Sequence, residues 1–146
     1  MYSSPLSRAY ETAEVVNQHH GKEIFLLDEL KEMSLGKLEG RTKDERLKMH
    51  PWFDWNNDEH RKKLTIETMS QWEKILKEKI VPMLLEKHVN ETIILSTHYF
   101  KIQALLLALG IERNIVLQAR PKPCALTIIE KDNNKTNIIC FLSYKA

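Results

Sequence analysis

Apolar residues recur at helical spacing first at Leu6, Ala9, Tyr10, Ala13 and Val16, in steps of three and four, which predicts an amphipathic helix. Ser4 suits the cap ahead of it, Pro5 suits the first helical position, and Gly21 offers a stop. The short apolar run EIFLL (23–27) predicts a strand and leads into a glycine-punctuated loop, LDELKEMSLGKLEGRT. Residues 43–63 are polar, charged and aromatic around HPWFDW, and predict short helices and irregular chain. From Glu67 a long amphipathic helix is predicted, with Met69, Trp72, Leu76, Ile80, Met83 and Leu84 on or near one face. Pro82 should kink or shorten its last turns.

TIILST (92–97) shows no polar alternation, which suits a strand covered on both faces. His98 follows at once, then a helix from about Lys101 to Leu109 closed by Gly110. CALTIIE and TNIICFLSY, joined by KDNNK, predict a hairpin. The order strand, helix, strand, loop, helix, strand, helix, hairpin predicts an α/β layered domain with a mostly parallel sheet.

Composition narrows the function. The 146 residues suit one domain, 1–146, with 42% hydrophobic and 29% charged positions. Lys+Arg number 22 against Asp+Glu 20, a balance that gives little reason for a polyanionic partner. Stacking and charge from HPWFDW and HRKK would suit nucleic acid, but DEHRKK mixes both signs, so no nucleic acid is expected. Cys124 and Cys140 lie in apolar stretches without metal-ligand spacing, and are expected to be buried in a reducing compartment. No signal peptide is evident, and the apolar stretch Ala104–Gly110 is far short of the ~20 residues a bilayer needs. A cytoplasmic protein is the expectation.

In open α/β sheets, ligands collect beyond the carboxyl ends of the strands. At the first such end Arg8 lies in the opening turn of a helix, where a cation opposes the helix dipole unless an anion binds there. The alternative is an exposed arginine paired with Glu11. At the second end stands His98, able to donate to a phosphate oxygen, shuttle a proton, attack phosphorus or simply cap the strand. Its position sets it above His19, His20, His50, His60 and His88, which fall in polar segments and are expected to be solvated. Glu32 and Glu39 share the loop punctuated by Gly36 and Gly40. A carboxyl group held near a phosphate would have its pKa raised and could act as a general acid; the alternative is simple exposure.

Three blocks, in order, resemble the phosphoglycerate mutase-like branch of the histidine phosphatase superfamily. YSSPLSRAYETA is similar to its phosphate-binding signature, LKEMSLGKLEG to its glutamate loop, and IILSTHYFKIQALLLALG to the strand, second active-site histidine and following helix. The resemblance spans roughly residues 2–144. It implies a three-layer αβα fold, phosphomonoester hydrolysis on small phosphorylated metabolites, and no metal or other cofactor. Residue by residue, it implies that Arg8 binds phosphate, that Glu32 donates the proton and that His98 is the second histidine, catalytic and phosphate-binding. Trp52, Phe53 and Trp55 correspond to a variable region over the pocket, lining a substrate or forming a local hydrophobic cluster.

Two departures change the expectation. The family's nucleophile is a histidine in an Arg-His-Gly motif at the end of its first, central strand, and no Arg-His-Gly occurs in this sequence. Tyr99 stands where the family usually has glycine, and narrows the site or reshapes the turn. The expected protein is therefore an N-terminally truncated member with weak or no turnover, or a non-catalytic module that binds a phosphorylated ligand.

Overall fold

The computed structural model describes residues 1–118, 121–131 and 136–142, the last group by backbone alone. Three parallel strands organise it. The central strand β1 (Tyr2–Ser3) lies between β2 (Phe25–Leu26) and β3 (Leu95–Ser96). Tyr2 is in register with Phe25 and Leu95, and Ser3 with Leu26 and Ser96. Each strand is short, but flanking bonds lengthen the ladder: Tyr2 N–H to Ile94 O (2.9 Å), Ser4 N–H to Ser96 O (2.9 Å) and Leu27 N–H to Ser3 O (3.0 Å).

Helices cover both faces, because successive side chains of a strand point to opposite sides. On one face α1 (Ser7–Asn17) is tied to β3 by Ser96 Oγ donating to Ala9 O at 2.7 Å. On the other, Tyr2 and Leu95 join a core with Met69, Leu76, Ile80, Val81, Leu84 and Ala104–Ala108. The polar stretch forms α2 (Lys43–Met49) and α3 (Asp58–Lys63), as its composition predicts. Next, α4 (Met69–Ile75) starts at a capping box in which Thr68 and Gln71 bond reciprocally.

Pro82 does disturb the long helix, but upstream of itself. Residues Leu76–Ile80 open into a π-helical stretch before α5 (Val81–Lys87). Proline lacks the N–H and crowds the carbonyl four residues back, and a wider turn relieves that contact. After β3 come α6 (Tyr99–Ala108) and α7 (Arg113–Gln118). The sequence pattern did not predict α7, a helix of six residues whose one buried side chain is Val116.

The hairpin forms as expected, with β4 (Leu126–Lys131) antiparallel to β5 (Thr136–Leu142). Its turn, residues 132–135, and the end of TNIICFLSY lie outside the described residues. Among the described residues the hairpin is a sheet of its own, and β3 pairs only with β1. Residues 93–97 are therefore half-buried rather than covered on both faces. The cysteine expectation also needs correction: Cys124 is exposed, in the turn before β4 with φ +60°, and the Cys140 side chain lies outside the description. No helix among the described residues is long and apolar enough to cross a membrane.

Candidate functional site

Because β1 and β3 are adjacent and parallel, the chain leaves both at the same end. The residues that follow them meet there: His98 Nε2 lies 2.9 Å from Ser4 Oγ in a buried hydrogen bond. Ser4 also accepts from Leu6 N–H at 3.2 Å. It is not the helix cap predicted for it. The N-cap of α1 is Leu6, without a side-chain bond, so Pro5 lies outside the helix and Ser4 is free to hold His98. Nothing local in the sequence reveals that role, since the partners are 94 residues apart.

Beside this pair runs the loop of Glu32. Thr97 Oγ1, the residue before His98, donates to Leu30 O at 2.7 Å and pins the loop to the end of β3. Leu30 and Met33 on either side are buried in the core. Glu32 itself accepts from Met33 N–H at 2.9 Å and from Phe100 N–H, in the first turn of α6, at 3.4 Å. Gly36 has φ +49°, and a Cβ there would lie 2.4 Å from the carbonyl oxygens of Leu64 and Thr65. Glu39 closes this turn from outside, accepting from Leu35 N–H at 2.7 Å.

Electrostatics divides the titratable groups. Burial pushes the Glu32 carboxyl above its ordinary range, against the two backbone N–H groups, Lys101 and Arg8, which favour its charge. Burial, then Arg8 and Lys101, push the His98 imidazole down to about 4, so it is neutral at pH 7. A neutral imidazole offers one N–H and one acceptor nitrogen, and a carboxyl that keeps its proton can donate it. Arg8 is exposed in the first turn of α1, within electrostatic reach of both groups, and forms no ion pair with Glu11 among the described residues.

The aromatic stretch packs next to this arrangement. Phe53 meets Trp55 edge-on at 4.8 Å, and Trp55 stacks on Phe100 at 5.5 Å. Trp52 stays half exposed, edge-on to Phe53 at 6.1 Å. Under the stack lies Arg61, 1% exposed although it belongs to DEHRKK. It donates to Trp55 O (2.7 Å) and Glu67 O (2.9 Å), and its guanidinium carbon sits 4.8 Å from the Phe100 ring centre. That burial removes Arg61 from any surface that could meet a polyanion. Tyr99 opens α6 directly after the extended His98, its ring edge-on to Phe100 at 5.0 Å.

His88 is the histidine the sequence misjudged most. Half-buried at the end of α5, it bonds Tyr2 Oη at 2.8 Å and Glu91 at 2.7 Å. His50 and His60 are half-buried as well, edge-on to Trp52 at 5.6 Å and 5.1 Å. The spacing of polar residues gives no sign of these ring contacts.

Comparison with known proteins bears on the family and the fold. Residues 1–142 match the sequence profile of the histidine phosphatase superfamily (branch 1). The uncharacterized phosphatase PhoE of Bacillus subtilis is 31% identical over 104 residues, 71% of this chain and 49% of its own. The chain thus spans about half the length of that curated relative. Among solved structures, Bacillus stearothermophilus YhfR superposes with a TM-score of 0.77 at 25% identity, over 94% of this chain and 70% of that one. A phosphoserine phosphatase mutant from Entamoeba histolytica, crystallised with phosphoserine, gives 0.68 at 21% identity, over 96% and 71%. A sheet with helices on both faces, a histidine at the end of β3 and a profile covering all but the last four residues lead to one assignment: this chain belongs to the histidine phosphatase superfamily.

Proposed function

We propose that the ends of β1 and β3 form a phosphoryl-binding site for a small phosphorylated metabolite, in a cytoplasmic phosphomonoesterase lineage. The carrying observation is the 2.9 Å bond between Ser4 and His98, which fixes a neutral imidazole beside the first turn of α1 and its Arg8. In this reading Arg8 binds phosphoryl oxygens and His98 donates its N–H to one of them. Glu32, holding its proton more tightly than a free glutamate, supplies that proton to the leaving oxygen. A related fold holds phosphoserine in the Entamoeba histolytica phosphatase, which supports a ligand of this class.

The sequence has no Arg-His-Gly, and loss of a catalytic nucleophile costs on the order of 10⁶ in kcat in a well-studied hydrolase. This polypeptide alone therefore turns over weakly or not at all. A second reading, a non-catalytic module that retains phosphate binding, is favoured by the coexistence of Arg8, Glu32 and His98 with that missing motif.

Two assays test the pair. On a generic phosphomonoester substrate, wild type and His98→Ala should both be near background; robust wild-type activity lost in the variant would refute inactivity. Millimolar orthophosphate or vanadate should raise the melting temperature of wild type but not of Arg8→Ala. No shift in wild type would refute the binding site itself.

A further inference from the structure

Lys101, the third residue of α6, is 0% exposed. Its Nζ has no hydrogen-bond acceptor among the described residues and stands 2.8 Å from the centre of the Trp72 ring. Trp72 is held from below, its indole N–H donating to Glu67 Oε2 at 2.9 Å, and the same oxygen accepts Ser34 N–H at 2.8 Å. A buried ammonium without an acceptor is costly, and a ring face offsets only part of that cost. The following turn of α6, Ala104–Ala108, is buried and apolar, so an apolar residue would suit position 101 better if stability were the only demand.

The surroundings show what the charge acts on. Within electrostatic reach of Lys101 are Glu29 and Glu32 from the loop after β2, Glu67 ahead of α4, and His98 at the cap of its own helix. Arg8 reaches the same His98 and Glu32 from α1. Both α1 and α6 start with a cation and no acid in the first turn, the reverse of the usual helix preference. Two helix N-termini and two cations thus add their potentials where β1 and β3 end.

We propose that Lys101 is a positioning residue of this site: a buried cation seated on Trp72 that projects positive potential onto His98 and any anion bound beside it. The effect on the bound anion rests on the phosphate reading above; the effect on His98 does not. Lys101 itself is pushed down to about 8 by burial, against the three glutamates, so its charge fades as pH rises past that value.

The test follows the His98 imidazole by NMR against pH in wild type, Lys101→Met and Lys101→Arg. Lys101→Met should raise the His98 midpoint by about half a unit or more, while the melting temperature holds or rises. Lys101→Arg, which keeps the charge, should stay near wild type. Orthophosphate should bind Lys101→Met roughly three- to tenfold more weakly at pH 7. Should Lys101→Met fold poorly, Lys101→Gln serves the same reading. An unchanged His98 midpoint in the folded uncharged variant overturns the proposal. A raised midpoint with no phosphate binding to wild type supports the action of Lys101 on His98 and overturns the phosphate reading alone.

Discussion

Ser4 and His98, 94 residues apart, share a buried hydrogen bond of 2.9 Å where adjacent parallel strands end. Ser4 is 0% exposed and serves both His98 and Leu6 N–H, so no water can replace it without rearrangement. Ser4→Ala should leave His98 Nε2 unpaired and cost ~1–3 kcal/mol. Urea unfolding at pH 7 measures this, and a loss much below that range would mean His98 finds another partner.

Acid stability carries the signature of His98. Its folded-state pKa is about 4, against 6.5 for an ordinary imidazole, so between these values the unfolded chain binds a proton that the folded chain does not. The contribution is at its best above pH 6.5 and is lost as pH falls toward 4, on the order of 3 kcal/mol at most. Unfolding free energies at pH 4.5 and 7 should differ less in His98→Gln than in wild type.

The limits of sequence pattern show in these same residues. The spacing Leu6, Ala9, Ala13 marks α1, because one buried face leaves a periodic trace, whereas α6, buried all round, shows only as an apolar run after His98 closed by Gly110. Arg8, Glu32 and His98 came from motif resemblance and strand-end position. Ser4 fits a helix cap by local logic, whereas its real partner, His98, arrives through sheet pairing. Nothing in the spacing marks Lys101 or Arg61 as buried: Trp72 covers Lys101, and Trp55 and Phe100 cover Arg61. Pro82 is visible in the sequence, but the form of its disturbance, a π-helical stretch upstream of it, is not.

Glycine is required at position 36. With φ +49° and two carbonyl oxygens 2.4 Å from the site of a Cβ, Gly36→Ala must displace the Leu64–Thr65 backbone. The backbone conformation alone costs ~1–3 kcal/mol, and the clash adds to it. A lower melting temperature, with weaker phosphate binding as the Glu32 loop shifts, is the expected outcome; Gly40→Ala, which meets nothing within 4 Å, should cost less.

Charge on Glu32 should oppose anion binding. A bound phosphate, being of like charge, draws a proton onto Glu32, whose pKa burial already raises, so affinity declines as pH rises through the Glu32 range. Glu32→Gln removes the repulsion and should tighten orthophosphate roughly three- to tenfold at pH 7.5, flattening that dependence. Calorimetric titration at several pH values checks both.

On the far side of β1, Tyr2 Oη bonds His88, which in turn bonds Glu91. Tyr2→Phe keeps the ring in the core and removes one hydrogen bond, an expected loss of ~0.5–1.5 kcal/mol without change in phosphate affinity. A change in affinity would mean that this chain of bonds reaches the site through β1.

The most direct test of the central claim is an orthophosphate titration followed on the His98 imidazole resonance in wild type and Arg8→Ala. The account predicts a saturable shift at millimolar phosphate in wild type and its loss in Arg8→Ala. No shift in wild type, or an identical shift in the variant, would contradict a phosphoryl site built from His98 and Arg8.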